Sequence, residues 1–213
     1  MTFASMALSL IFLRVPELDP DISPALVGQL VKPGNVVIEV GSNKGGLTML
    51  ISAIVGSTGK VIAIEPNPLS YAILSFHCRR SSNVIRLGLA VGAFEGEASL
   101  FLSGPTDKAA SLLSGSSNPV RIGVKLSTLD VLIERLGLVP DVVFIDAEGA
   151  ELDVLNGAHK TLDSSVSLVV VLRRTGLTKF DDVVELMRIK KFKPIPLTTD
   201  SSGLGLYLFR QVT

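Results

Sequence analysis

The residues with the densest chemical content form one run, Glu39-Val40-Gly41-Ser42-Asn43-Lys44-Gly45-Gly46: a carboxylate followed by a glycine-rich turn. A strand that ends in glycines and opens a helix brings backbone N–H groups close to a bound nucleotide. A dinucleotide-binding turn wants a second glycine where this chain has Asn43. The phosphate-loop pattern finds Gly41, Gly46 and Thr48 in place, but Leu47 stands where the phosphate-binding lysine belongs. What remains is an acidic-x-Gly-x-x-x-Gly turn. A second carboxylate, Glu65, follows 24 positions after Gly41 and ends another apolar run, where it can accept hydrogen bonds from both hydroxyls of a ribose. A third acidic group lies in Ile145-Asp146-Ala147-Glu148-Gly149-Ala150-Glu151, again directly after an apolar run.

These groups need strands to carry them to one place. Continuous apolar runs recur at residues 36–40, 60–65, 83–91, 141–146 and 167–172, and they read as strands buried on both faces of a parallel sheet. Helical spacing lies between them at 47–55, 69–80, 150–162 and 180–191. Ser127-Thr128-Leu129-Asp130 reads as a helix entry, with Val131, Leu132 and Leu136 on one face. Residues 98–102 and 120–126 predict a hairpin-like excursion around a Ser/Gly-rich stretch at 111–118, and 193–197 and 205–210 predict two closing strands. Such alternation implies a doubly wound α/β sheet whose ligands sit beyond the carboxyl ends of the strands. All three acidic groups fall there.

Composition narrows the function classes. With 213 residues, 47% apolar, the chain has material for one well-buried core, and it divides into an apolar, helical segment at 1–30 and a main domain at 31–213. Twenty Lys and Arg balance twenty Asp and Glu, which argues against nucleic acid as the partner. One cysteine, Cys78, forms neither an internal disulfide nor a cysteine zinc site, which fits a cytoplasmic location. The longest apolar run, Met6 to Leu13 interrupted by Ser9, is too short to span a membrane and lacks the flanks of a signal peptide. Residues 1–13 are therefore expected to form an apolar helix packed on the domain or on a second subunit, with a homodimer favoured.

The turn with Glu39, Gly41 and Gly45, joined to Glu65, resembles that of class I S-adenosylmethionine-dependent methyltransferases. That cofactor has no phosphates to cradle, so a carboxylate can face its cationic amino group, and the two glycines would let backbone approach it closely. The resemblance sharpens downstream. Ile64-Glu65-Pro66-Asn67-Pro68, Ser127-Thr128-Leu129-Asp130, the Asp146-Ala147-Glu148-Gly149-Ala150-Glu151 segment and Leu155-Asn156-Gly157-Ala158 are similar to those of the FkbM methyltransferases over residues 36–172. The resemblance implies a Rossmann-like, doubly wound, mostly parallel seven-stranded sheet with an antiparallel C-terminal strand. It also implies S-adenosylmethionine as cofactor and methyl transfer to a hydroxyl of a sugar or small metabolite. It carries Glu39, Gly41, Ser42, Asn43, Gly45, Glu65 and Asn67 to the cofactor side, and Asp146, Glu148 and Glu151 to the acidic motif.

In-line transfer from a sulfonium requires alignment and removal of the acceptor proton. Asp146 is the first candidate for that work and Glu148 the second; Glu151, opening a helix, also suits the helix dipole alone. The pairs Asp181-Asp182 and Lys190-Lys191 suit opposite ends of one helix. His77 and His159 lack partners at metal-ligand spacing, so no metal is expected. Members of the family commonly carry an acidic residue near the end of the fifth strand, where this chain has Leu172-Arg173-Arg174. That departure keeps a non-catalytic binding or scaffold role as the alternative. A nicotinamide-dependent oxidoreductase, disfavoured by Asn43, comes third.

Overall fold

The computed structural model describes residues 16, 18, 22–102, 120–164, 166–172, 180–199 and 205–211. The expected helix at 1–13, the Ser/Gly-rich stretch at 111–118, and Arg173 and Arg174 lie outside the described residues.

A short helix, α1 (Pro24–Leu30), is capped by the Ser23 hydroxyl and followed by β1 (Val36–Val40), α2 (Gly46–Val55), β2 (Lys60–Ile64) and α3 (Pro68–His77). Then come β3 (Val84–Leu87), β4 (Ala90–Val91), β5 (Gly96–Leu102), β6 (Val120–Ser127), α4 (Leu129–Leu136) and β7 (Val142–Ile145). The remainder is α5 (Glu151–Asn156), α6 (His159–Leu162), β8 (Ser167–Leu172), α7 (Phe180–Ile189), β9 (Phe192–Thr199) and β10 (Gly205–Gln211). Seven strands form the main sheet in the order β3-β2-β1-β7-β8-β10-β9. The β3, β2, β1, β7 and β8 strands pair in parallel, and β10 runs antiparallel to both β8 and β9. This is the expected mostly parallel α/β sheet with an antiparallel finish.

The sheet is buried on both faces because alternate residues feed two cores. Ile38, Val40, Ile62, Ile64, Val143 and Ile145 pack towards α4, α5, α6 and α7. Val37, Val61, Ala63, Val142 and Phe144 pack towards α1, α2 and α3. Val27 of α1 is fully buried in this second core, beside Val31 and Ile51. No helix among the described residues is long and apolar enough to cross a membrane.

Four elements differ from the sequence expectation, the simplest being the helix expected at 69–80, which ends at His77. The single strand expected at 83–91 is two, since β3 stays in the main sheet while β4 pairs in parallel with β6 in a small sheet of order β4-β6-β5. The chain leaves the main sheet at Gly88, where a Cβ would rest against the Tyr71 ring at 3.5 Å. The helix expected at 150–162 breaks at Gly157, where the backbone itself is in contact with the Gly92 carbonyl and a Cβ would not fit. The Gly157 carbonyl there accepts from Asp130 N instead of continuing a helix. The helix expected at 180–191 stops at Ile189, with Lys191 left-handed at φ +61°. Lys190 does not merely face a helix end; its ammonium donates to Asp163 at 2.9 Å.

Candidate functional site

The register of the central strands gathers the carboxylates. Glu39 on β1 is flanked by Ala63 of β2 and Phe144 of β7. Glu65 and Asp146 each lie two residues beyond those neighbours, in step with the same face of the sheet. All three therefore converge at the carboxyl end of the sheet, on the side of α2 and α3, and each of the other two adds electrostatic repulsion to Glu39.

Glu39 is only 3% exposed, and its carboxyl accepts from the Thr48 hydroxyl at 2.5 Å. Burial pushes this carboxyl up to about 8 against the pull of the Thr48 and Ser42 hydroxyls, with the Glu65 and Asp146 charges adding to the rise. Thr48, which matched the phosphate-loop pattern, thus serves the chain's own glutamate from the first turn of α2. The signal in the sequence was its type and place, nine residues after Glu39, but only the fold brings the two together.

Glu65 organises the loops around it. One of its oxygens accepts from Asn43 N at 2.7 Å and the other from Asn67 N at 2.8 Å. Burial pushes it up to about 7, opposed by those two amides and helped by Asp146. Asn43 adopts φ +48°, a left-handed conformation that asparagine tolerates, which is how the turn forms without the glycine of a dinucleotide fold. Gly41 N and Ser42 N both donate to Ile64 O at 3.0 Å, and the buried Ser42 hydroxyl donates to Glu39 O. Asn67 caps α3, its Oδ1 accepting from Leu69 N at 3.0 Å. Among the described residues its buried Nδ2 has no partner.

The two glycines are also demanded by the fold itself. Gly41 and Gly45 have φ +87° and +92°, but the atoms a Cβ would meet belong to the chain itself. At Gly41 it is the carbonyl of Asp146, and at Gly45 it is Leu74 Cδ1 at 2.7 Å. Cys78 packs beside Gly45 as a buried apolar group, its thiol pushed up to about 11 mainly by burial.

Asp146 leaves β7 with its N–H donating to Val40 O at 2.9 Å and is partly buried. Glu148, also partly buried, is left-handed at φ +48°, and Gly149 follows at φ +103°. Glu151 does not simply face the helix dipole. Its Oε1 turns back and accepts from Ala147 N and Gly149 N at 3.1 and 3.0 Å. Asp130, in the Ser-Thr-Leu-Asp segment, serves the fold, because its carboxylate accepts from Lys160 N, Thr161 N and the Thr161 hydroxyl at the start of α6.

Buried carboxyl groups held high in the titration range make a site that is costly to ionise alone and suited to a cationic ligand. Together with the Glu65 oxygens and the Asn67 amide, the donor and acceptor set fits a cofactor that carries an ammonium, a sulfonium and a ribose.

The fold resembles solved methyltransferase structures. A methyltransferase FkbM from Methylobacillus flagellatus KT superposes with a TM-score of 0.58 at 14% identity, over 97% of this chain, which spans 58% of that one. Aeropyrum pernix fibrillarin with natively bound S-adenosyl-L-methionine gives 0.55 at 13% identity, covering 98% of this chain and 74% of that one. An O-methyltransferase from Bacillus cereus in complex with SAH gives 0.54 at 17%, covering 98% and 88%. No curated protein matches the chain in sequence. The Methyltransferase FkbM domain matches residues 39–194, from the Glu39 of β1 to β9, and the chain therefore belongs to the FkbM methyltransferase family.

Proposed function

We propose that the chain transfers a methyl group from S-adenosylmethionine to a hydroxyl of a sugar or small metabolite. The observation that carries this reading is the convergence of Glu39, Glu65 and Asp146 at the ends of β1, β2 and β7, beside a turn whose backbone is already fixed. When bound, the cofactor supplies an electrophilic methyl on a sulfonium. Glu65 would hold the ribose: each of its oxygens spends one lone pair on a backbone amide and keeps another for a hydroxyl. Glu39, with Gly41, Ser42, Asn43 and Gly45 shaping the turn, would supply negative potential for the amino group, and Asn67 donates its N–H to Glu65, the carboxylate that would hold the ribose. Asp146 would take or orient the acceptor proton, with Glu148 as the other carboxylate able to do so.

Calorimetric titration with S-adenosylhomocysteine tests the cofactor, with a nicotinamide dinucleotide as the control. Saturable binding of the first alone is expected, weakened by roughly 1–3 kcal/mol in Glu65→Ala through lost charged hydrogen bonds. An affinity indifferent to Glu65→Ala would sink the assignment.

A further inference from the structure

The Ala147–Gly149 turn is built as an anion hollow. Ala147 N and Gly149 N point at one place, and the residue between them, Glu148, is left-handed, the backbone arrangement in which successive amides bind an anion. The hollow is filled from within the chain. Glu151 Oε1 receives both amides, and the residue is 1% exposed, so its carboxyl group lies out of water and depends on these contacts. A carboxylate needed only for the helix dipole would remain in water at the surface of α5. The turn is also unfavourable without support, since a non-glycine residue at positive φ costs free energy that the surroundings must supply. On its other side the turn is fixed by Asp146, whose N–H and carbonyl are pinned against Val40 and Gly41.

We infer that Glu151 is a positioning residue, whose contact with Ala147 and Gly149 holds Asp146 and Glu148 in the orientation the cationic cofactor and its acceptor require. The inference rests on the cofactor reading above. It also means that the hollow is closed to a carboxylate or phosphate of a ligand, because the chain's own carboxylate occupies it.

The test uses Glu151→Met, which keeps the buried volume and removes the acceptor, and Glu151→Gln, which keeps an oxygen able to accept both amides. Thermal melting checks that each is folded. In Glu151→Met, amide exchange at Ala147 and at Gly149 is expected to rise about tenfold each, since each amide loses one modest hydrogen bond. The ratio of S-adenosylmethionine to S-adenosylhomocysteine affinity is expected to fall by a similar factor, because only the former carries the sulfonium charge; Glu151→Gln should restore both. General loosening would weaken the two ligands equally and leave the ratio unmoved, which counts against the inference. Wild-type binding of both compounds with an unchanged ratio in Glu151→Met overturns the inference alone. Absence of wild-type binding to either compound overturns the cofactor reading and the inference with it.

Discussion

The carbonyl oxygen of Asp146 occupies the place where a Cβ on Gly41 would stand, so the loop after β1 and the loop after β7 touch backbone to backbone. This contact, reinforced by Asp146 N donating to Val40 O, sets how far the acidic motif lies from the glycine-rich turn. Gly41→Ala must therefore displace main chain, and it adds an L side chain at φ +87°. A loss of roughly 2–4 kcal/mol is expected from the strain and the displaced backbone together. Gly45→Ala meets the end of a flexible side chain, Leu74 Cδ1, and should cost less. Urea unfolding of the two variants ranks them, and equal stability would show that the two loops are not in rigid contact.

The parts of this arrangement that follow from local pattern were legible in the sequence. Val36 to Val40 and Val142 to Ile145 read as buried parallel strands because both of their faces meet apolar cores. Glu39, Glu65 and Asp146 stood out because each is a charge at the end of such a run. What the sequence did not disclose depends on contacts between distant residues. Gly157 breaks a helix because Gly92 lies against it, and the demand for glycine at position 41 comes from Asp146. Thr48 matters through Glu39, and Glu151 through amides that face it only when Glu148 turns left-handed. No periodicity reports on any of these.

The buried carboxylates predict a pH dependence with a definite sign. Glu39 titrates near 8 and Glu65 near 7 in the folded chain, against an ordinary value of 4.5. The folded state holds these protons more tightly than the unfolded chain, so the stability they contribute is fully present below about 4.5 and is lost as pH rises through 7 to 8. The ligand-free protein should accordingly lose a few kcal/mol between about pH 5 and pH 9. In Glu39→Gln, which can still accept from Thr48, that slope should flatten. Urea titrations across this range check it, and a wild-type protein whose stability is level there would contradict the burial of both groups.

Asp130 offers a contrast between a motif residue that builds the fold and one that meets a ligand. Its carboxylate caps α6 through Lys160 N and Thr161 N and also holds the Thr161 hydroxyl at 2.7 Å. Asp130→Ala should cost about 2 kcal/mol, as expected for a charged cap with an added side-chain bond. Affinity for S-adenosylhomocysteine in the folded protein should stay unchanged. A fall in affinity without loss of stability would move Asp130 into the binding site.

Asp146 acts electrostatically on its neighbours and is proposed to act at the transfer step, and one substitution separates the two. Its charge raises the titration of Glu39 and of Glu65, so Asp146→Asn should let both ionise at lower pH. With their folded values closer to the ordinary one, the fall in stability with rising pH should be smaller than in the wild type and should end at a lower pH. That change needs no acceptor to observe. If Asp146 also takes or orients the acceptor proton, turnover with a hydroxyl acceptor should drop far more than cofactor affinity, because the lost interaction belongs to the transfer step. The altered pH profile combined with wild-type turnover would leave Asp146 as an electrostatic neighbour and pass the proton to Glu148, which stands two residues on in the same turn. Glu148→Gln would then carry the loss of turnover.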